Sequence, residues 1–437
     1  MQLIDIFHKM ESECKLFDLG KEINLPVWDI VRYSVYVKYY YPPEDRKRLS
    51  NVISHSVSDY FRLIYLALQF FFKVSVCKGE NIILTASRYT NAQGEYFDKS
   101  AIAIIDELGE NCLTVEPIRG KKVAYRYIYD FSLVLRRLLL IYPKISLDDF
   151  KAINDALIKH FGENRITYVE LNEALRTFYA QYYFFKILFK LKKTKKLFIA
   201  LGNPKATILA AQELKIKTYL LQHASIEIDE VDYSYPSEIT LNSRILFPHY
   251  VLTFGDYWCR DINVPAEKII PIGNDYFYAK PNVLGDSSIL IISTIVHGRE
   301  LSLLTKQLAQ IHQDISFVFK LHPNEFHFYK DYIDFFKFNP NVLVVTNQTD
   351  TNVLIAKAQL IVLIVSAVLY EALNQNKKIA IYKRINFARN TSFASFPNVY
   401  LFDHPNEISD ILLKEVLMSE VNFYKPTDHS LIKTLSA

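Results

Sequence analysis

The chain has 437 residues, half of them apolar and 22% charged, with a formal net charge of +4. That balance belongs to a folded chain long enough for two domains and excludes a disordered one. So small a basic excess does not argue for nucleic acid as a partner. Four cysteines, Cys14, Cys77, Cys112 and Cys259, show neither C-x-x-C nor zinc spacing. They read as reduced thiols of a cytoplasmic protein, with no metal expected. The opening MQLIDIFHKMESECK is charged and lacks the apolar core of a secretory signal. The apolar run Leu63–Phe72, bounded by Arg62 and Lys73, is too short to span a bilayer.

Residues 1 to about 75 read as helical, with Leu25-Pro26 before one helix, Tyr41-Pro42-Pro43 ending it and PPEDRKR as a solvated turn. Asn81–Thr85 is the first clear strand. The loop after it carries Ser87-Arg88 and Gly94-Glu95-Tyr96-Phe97-Asp98, then an amphipathic helix. Cys112–Glu116 is a second strand. Two helices follow, Ser146–Gly162, with Ser146 as N-cap, and Tyr168–Leu191. Residues 178–196, FYAQYYFFKILFKLKKTKK, join aromatics to a lysine cluster. Such a helix either packs into a core with a solvated lysine end or makes peripheral contact with the inner face of an anionic membrane. Leu197–Leu201, Thr218–Gln222, Tyr250–Phe254 and Ile269–Ile272 are further strands, with Lys205–Leu214 as a crossover helix.

Pro281–Ser288 reads as a linker. Beyond it stand the strands Ile289–Ser293, Ile315–Leu321, Val342–Thr346, Leu360–Val365 and Ile379–Tyr382, with short helices at Asp350–Lys357 and Val368–Asn374. Residues 411–437 read as helical at first, then polar. Strands alternating with helices predict an α/β protein of two Rossmann-like halves, 1–275 and 276–437, facing each other across a cleft. In such sheets ligands sit beyond the carboxyl ends of the strands, where His322-Pro323, Ser366 and Glu371 fall. A protonated or N–H-donating imidazole and a hydroxyl at a helix start suit a phosphate, and a carboxylate suits ribose hydroxyls. Lys320 adds charge if its strand turns it inward.

The densest polar stretch is Leu221–Tyr233, LQHASIEIDEVDY, where Glu227, Asp229, Glu230 and Asp232 crowd together. It is either a solvated acidic loop or a site in which crowding raises carboxyl pKa values.

The strand-HP-turn, the later strand-S-x-x-x-x-E-A-L and the segment Leu221-Gln222-His223 together resemble bacterial surface-polysaccharide glycosyltransferases of the GT-B fold. These include enzymes that use CMP-linked acidic sugars and the CDP-glycerol polymerases. The resemblance covers mainly residues 215–385. With a carboxylate and a tyrosine-rich turn after the QH segment, the chain looks closest to the retaining β-Kdo transferases of lipopolysaccharide O-antigen and capsule. Ala224 stands where that pattern has glycine.

This resemblance implies a CMP-Kdo donor, a lipid-linked or oligosaccharide acceptor, and no metal or other cofactor. It implies Asp232, before Tyr233-Ser234-Tyr235-Pro236, as nucleophile, with Glu230 and Asp229 in reserve and His223 in the same catalytic loop. His322, Pro323, Ser366, Glu371, Lys320 and Asn274 fall on the donor side. Arg299, in His297-Gly298-Arg299, or Arg88 would meet the sugar carboxylate, and Arg88 and Asp98 lie on the acceptor side. Alternatives are a transferase moving sialic acid or glycerol phosphate, or a non-catalytic GT-B scaffold in polysaccharide assembly.

Overall fold

The structure, a computed structural model, describes residues 3–40, 74–75, 79–91, 93–117, 122–227, 230–238, 244–260, 262–364, 366–383, 393–418 and 421–436. Leu63–Phe72, the PPEDRKR turn, Cys77 and Asp229 lie outside these residues.

The first half opens with α1 (Leu3–Glu13) and α2 (Val27–Tyr40). It continues through β1 (Asn81–Leu84), the small hairpin β2 (Tyr89–Thr90) and β3 (Tyr96–Phe97), α3 (Ile102–Leu108), β4 (Cys112–Pro117), β5 (Tyr127–Asp130) and α4 (Ser132–Leu138). Then come α5 (Leu147–Phe161), α6 (Tyr168–Lys192), β6 (Lys196–Ile199), α7 (Lys205–Glu213), β7 (Lys217–Leu221), β8 (Tyr250–Thr253) and β9 (Lys268–Pro271). Seven of these strands form one parallel sheet in the order β5-β4-β1-β6-β7-β8-β9. Runs such as NIIL and KLFI are buried along almost their whole length, as strands covered on both faces must be.

The second half contains α8 (Asp275–Tyr278), β10 (Ile289–Ile292), α9 (Gly298–Ile311), β11 (Phe317–Lys320), α10 (Tyr329–Phe336), β12 (Val342–Val345) and α11 (Thr351–Lys357). After these stand β13 (Leu360–Leu363), α12 (Val368–Asn374), β14 (Lys378–Tyr382), β15 (Val399–Phe402), α13 (Glu407–Leu413) and α14 (His429–Ser436). Its six strands are again all parallel, in the order β12-β11-β10-β13-β14-β15. Both sheets thus follow the 3-2-1-4-5-6 order of a Rossmann fold, the first with one strand added. Their strand order reverses between β1 and β6 and between β10 and β13. Ligand crevices open at such reversals.

Local sequence accounts for the helix ends. Ser146 Oγ accepts from Asp149 N–H at the start of α5, and Thr167 with Glu170 forms a full capping box for α6. On α6 the aromatics turn inward, with Phe178, Phe185 and Phe189 buried in the first core, so the core-packing alternative describes its inner face. Its outer stripe holds Tyr183, Ile187 and Leu191.

Helix α2 has a second task. Arg32 is buried, ion-paired to Glu11 at 2.5 Å, and donates to the carbonyls of Val231 and Ser234. Asp29, equally buried, accepts from Lys205 Nζ at 2.8 Å and from Leu246 N–H at 2.8 Å. A charge so deep is tolerable only when paired and hydrogen-bonded. The arrangement pins the loop after His223 to the N-terminal helices.

The tail opens on the end of α13, as a helical start requires, but its polar end also closes in a helix, α14, which returns to the first half. Ile432 of α14 packs with Ile104, Ile105 and Leu108 of α3. Trp258 Nε1 donates to Phe423 O at 2.6 Å.

Candidate active site

A cavity of about 750 Å³ lies between the carboxyl edges of the two sheets. Arg88, Tyr89, Lys99 and His223 line it from the first half; Lys320, His322, Asp350, Ser366 and Glu371 line it from the second.

His223 follows directly on β7. The residue before it, Gln222, is used up in holding the turn: its Oε1 accepts from Phe254 N–H at 2.8 Å and its Nε2 donates to Ala224 O at 2.9 Å. His223 Nδ1 is buried and has no hydrogen-bond partner among the described residues. Burial, then the charge of Arg88, pushes its pKa down to about 4, so the ring is neutral at pH 7.

His322 ends β11. Its Nδ1 accepts from Asn324 N–H at 3.1 Å, which leaves the proton on Nε2 as a donor. Its own N–H donates to Glu325 Oε2 at 3.1 Å, closing a capping box across His322-Pro323-Asn324-Glu325. Glu325 Oε1 also takes the Tyr332 hydroxyl at 2.8 Å. A Cβ on Gly298 would stand 2.0 Å from that oxygen, so any other residue there would displace the Glu325 carboxylate. Burial, then Arg88 and Lys320, lowers the His322 pKa to about 4. The cation allowed for at this position is therefore replaced by a neutral N–H donor.

Lys320 is buried and turned into the cavity. Burial, then repulsion from Lys99, lowers its pKa to about 8. Lys99 is also buried, set over the rings of Tyr89 and Tyr276 at 3.8 and 3.5 Å and paired with Asp350 at 3.2 Å. Glu371, on α12, faces the same space. Burial lifts its pKa to about 7, against the pull of Lys99. Ser366 Oγ accepts from Val368 N–H at 3.3 Å, and its hydroxyl proton is available to a ligand. Cationic and N–H donors facing each other in a dry cleft can hold an anion strongly.

Of the residues singled out in the sequence, Arg88, His223, Lys320, His322, Pro323, Ser366 and Glu371 meet in this cavity. Five do not line it. Asp232 lies behind it; burial raises its pKa, against the pull of Lys205 and Arg32. The Val231–Tyr233 turn directs it toward Gly202, where a Cβ would be 3.8 Å from Oδ2. Glu230 precedes the same turn. The acidic crowding is dispersed, for Glu227 reaches the other half and accepts from the Tyr370 hydroxyl at 2.7 Å. Asp98 is buried under the β1 loop, accepting from Ser100 N–H at 2.9 Å, and burial raises its pKa to about 6. Asn274 caps α8 and donates to Lys99 O at 3.0 Å, so it supports a cavity residue without lining the cavity. Arg299 is exposed on α9, because the supposed loop at His297 is the start of that helix.

No protein-family model matches the sequence, and no curated protein matches it. Solved structures do. The UDP-GlcNAc 2-epimerase of Methanocaldococcus jannaschii, in complex with UDP-GlcNAc and UDP, is 16% identical, with 82% of this chain and 99% of that chain covered and a TM-score of 0.50. The Neisseria meningitidis UDP-GlcNAc 2-epimerase bound to UDP-GlcNAc is 15% identical over 81% of this chain and 99% of that one, with a TM-score of 0.48. The fold is GT-B. The likeness is one of fold.

Sequence reasoning missed Lys99 and Asp350, which line the GT-B cleft, and Tyr276 and Glu325, which hold lining residues in place. Glu325 left a signal, the acidic residue three places after His322 that completes a capping box. Lys99 and Asp350 are far apart in the chain and left none. Among the described residues no group of His, Cys, Asp and Glu side chains is placed to hold a metal ion.

Proposed function

We propose that the protein is a glycosyltransferase that takes a nucleotide-activated sugar into this cleft and passes the sugar to a saccharide acceptor. The observation that carries the reading is the convergence of Arg88 and His223 from one half with Lys320, His322, Ser366 and Glu371 from the other. Lys320, the His322 Nε2–H and the Ser366 hydroxyl would hold the donor phosphate and stabilise it as it leaves. Glu371 would accept from the ribose hydroxyls.

His223 would take the proton of the incoming hydroxyl. Burial is the main cause of its low basicity and Arg88 the lesser one, so a phosphate that neutralises Arg88 would relieve only the smaller part. Asp232, as the nucleophile of a retaining reaction, would have to leave the vicinity of Lys205 and Arg32, so no step is routed through it.

For the donor we retain CMP-Kdo, used in lipopolysaccharide or capsule synthesis. One phosphate and one sugar carboxylate match the cations Arg88, Lys320 and Lys99. The same cations suit a nucleoside diphosphate sugar, the class of ligand in the complex of the Methanocaldococcus jannaschii epimerase. Calorimetry with CMP, CDP, UDP and GDP separates the two. Selective CMP binding, lost in His322→Ala, supports the first. Preference for UDP or GDP replaces the donor and keeps the site. Failure of all four to bind overturns the reading.

A further inference from the structure

A run of strongly exposed aliphatic residues lies on and after α4. Leu133, Leu138, Leu140 and Ile141 are 58%, 72%, 81% and 89% exposed. Single exposed apolar residues are ordinary, but four within one short segment form a patch that needs an occupant. Arg137 and Lys144 are exposed beside them, and among the described residues no carboxylate pairs with either.

The segment is firmly mounted. Arg136 pairs with Glu173 of α6 at 2.8 Å, and Arg176 Nε donates to Leu139 O at 2.9 Å. The α6 face that receives α4 continues along the helix, with Ile187 about three turns beyond Arg176 on the same side. Ile187 and Leu191 are exposed there, with Lys190 between them. The outer surface is thus aliphatic tips interspersed with cations, of which Arg137 and Lys144 meet no carboxylate among the described residues.

We propose that this face docks on the surface of a bilayer containing anionic phospholipid. Aliphatic tips enter the acyl boundary while arginine and lysine stay among the headgroups, which is how interfacial elements bind. The charge pattern favours this occupant over a second copy of the chain. A twofold contact through the face would bring the cations of two copies together, while its carboxylates Glu173 and Glu213 are already engaged by Arg136 and Lys186. It also relocates the membrane contact that residues 178–196 suggest, from the buried aromatics of α6 to α4 and the outer stripe.

The test is co-sedimentation of the full chain with vesicles of phosphatidylcholine, alone or with about 30% phosphatidylglycerol, at low salt and at about 0.5 M NaCl. Wild type should bind the anionic vesicles and release in salt. Leu140→Glu with Ile141→Glu should lower the partition coefficient at least tenfold. Arg137→Glu with Lys144→Glu should lower it by about fivefold or more for each charge, on anionic vesicles only. Leu284→Glu, equally exposed but in the linker, should bind as wild type. All these positions face solvent, so unchanged thermal melts show that the variants are folded. Three results overturn the proposal: no binding of wild type at low salt, patch variants that bind as wild type, or a wild-type dimer that Leu140→Glu with Ile141→Glu makes monomeric while wild type ignores vesicles.

Discussion

Lys99 Nζ lies 3.2 Å from Asp350 Oδ2, and the two residues come from opposite halves of the chain. The Tyr276 hydroxyl touches both, and Asn274 holds the Lys99 carbonyl. Lys99 is dry, but the Asp350 side chain is 38% exposed. The pair is therefore worth about 1 kcal/mol, not the several of a fully buried pair broken on one side. In a cycle of Lys99→Met, Asp350→Asn and the double variant, the coupling in denaturant melts should be about 1 kcal/mol. Strict additivity would mean that the contact does not join the halves.

Glu371 gives the protein a pH signature. Its carboxyl ordinarily titrates near 4.5 and is raised to about 7 in the folded state, chiefly by burial. The folded protein holds this proton more tightly than the unfolded chain does. The charged form is therefore a burden that grows as pH rises from about 4.5 and is complete above about 7. Glu371→Gln should match wild-type stability near pH 4.5 and exceed it by about 1–3 kcal/mol at pH 8. The same variant should bind nucleotide more weakly if the carboxylate meets ribose. Equal stability at both pH values would show that Glu371 is solvated.

The alternation of buried runs with helices made both sheets legible, down to the strand carrying Lys320 and the turn at His322, except for one edge strand of each, β5 and β15. What escaped the reading was short or depended on distant partners. The β2–β3 hairpin has two residues per strand, too few for any period to register. The acidic loop after His223 looked like one cluster, because sequence spacing cannot reveal that Glu227 turns toward Tyr370 while Asp232 turns toward Lys205. Lys99 becomes a cleft residue only through Asp350, 251 positions away. Such pairings are set by how the halves dock, and no local pattern encodes that.

Gly273 should prove indispensable to the tail. Its φ is +78°, and a Cβ there would stand 2.0 Å from Pro426 O. Gly162, at the end of α5, has φ +77° with open space around it. Gly162→Ala should cost about 1–2 kcal/mol, the strain of a left-handed alanine alone. Gly273→Ala carries that strain and must also displace residues 425–427, which bond to Asn274 and Asp275. It should cost measurably more in melts and speed proteolysis just before α14. Equal costs for the two would mean that the tail is loosely held.

Lys320 should make anion binding weaken with rising pH. Burial, then Lys99, holds its pKa near 8, against an ordinary 10.5. A bound phosphate favours the charged amine and raises that pKa, so binding takes up a proton once pH exceeds about 8. Affinity for CMP or UDP should then be nearly flat from pH 7 to 8 and fall by up to about tenfold per unit above it. With CMP the ligand's own ionisation does not interfere, since a phosphate monoester has lost its second proton by about pH 7, whereas the uracil of UDP starts to lose its ring proton at the alkaline end. Lys320→Met should bind more weakly at pH 7 and lose the slope above pH 8. A wild-type affinity that stays flat to pH 9.5 would remove Lys320 from the phosphate site. A slope that persists in Lys320→Met would transfer it to Lys99, the other buried amine in the cavity whose pKa is depressed.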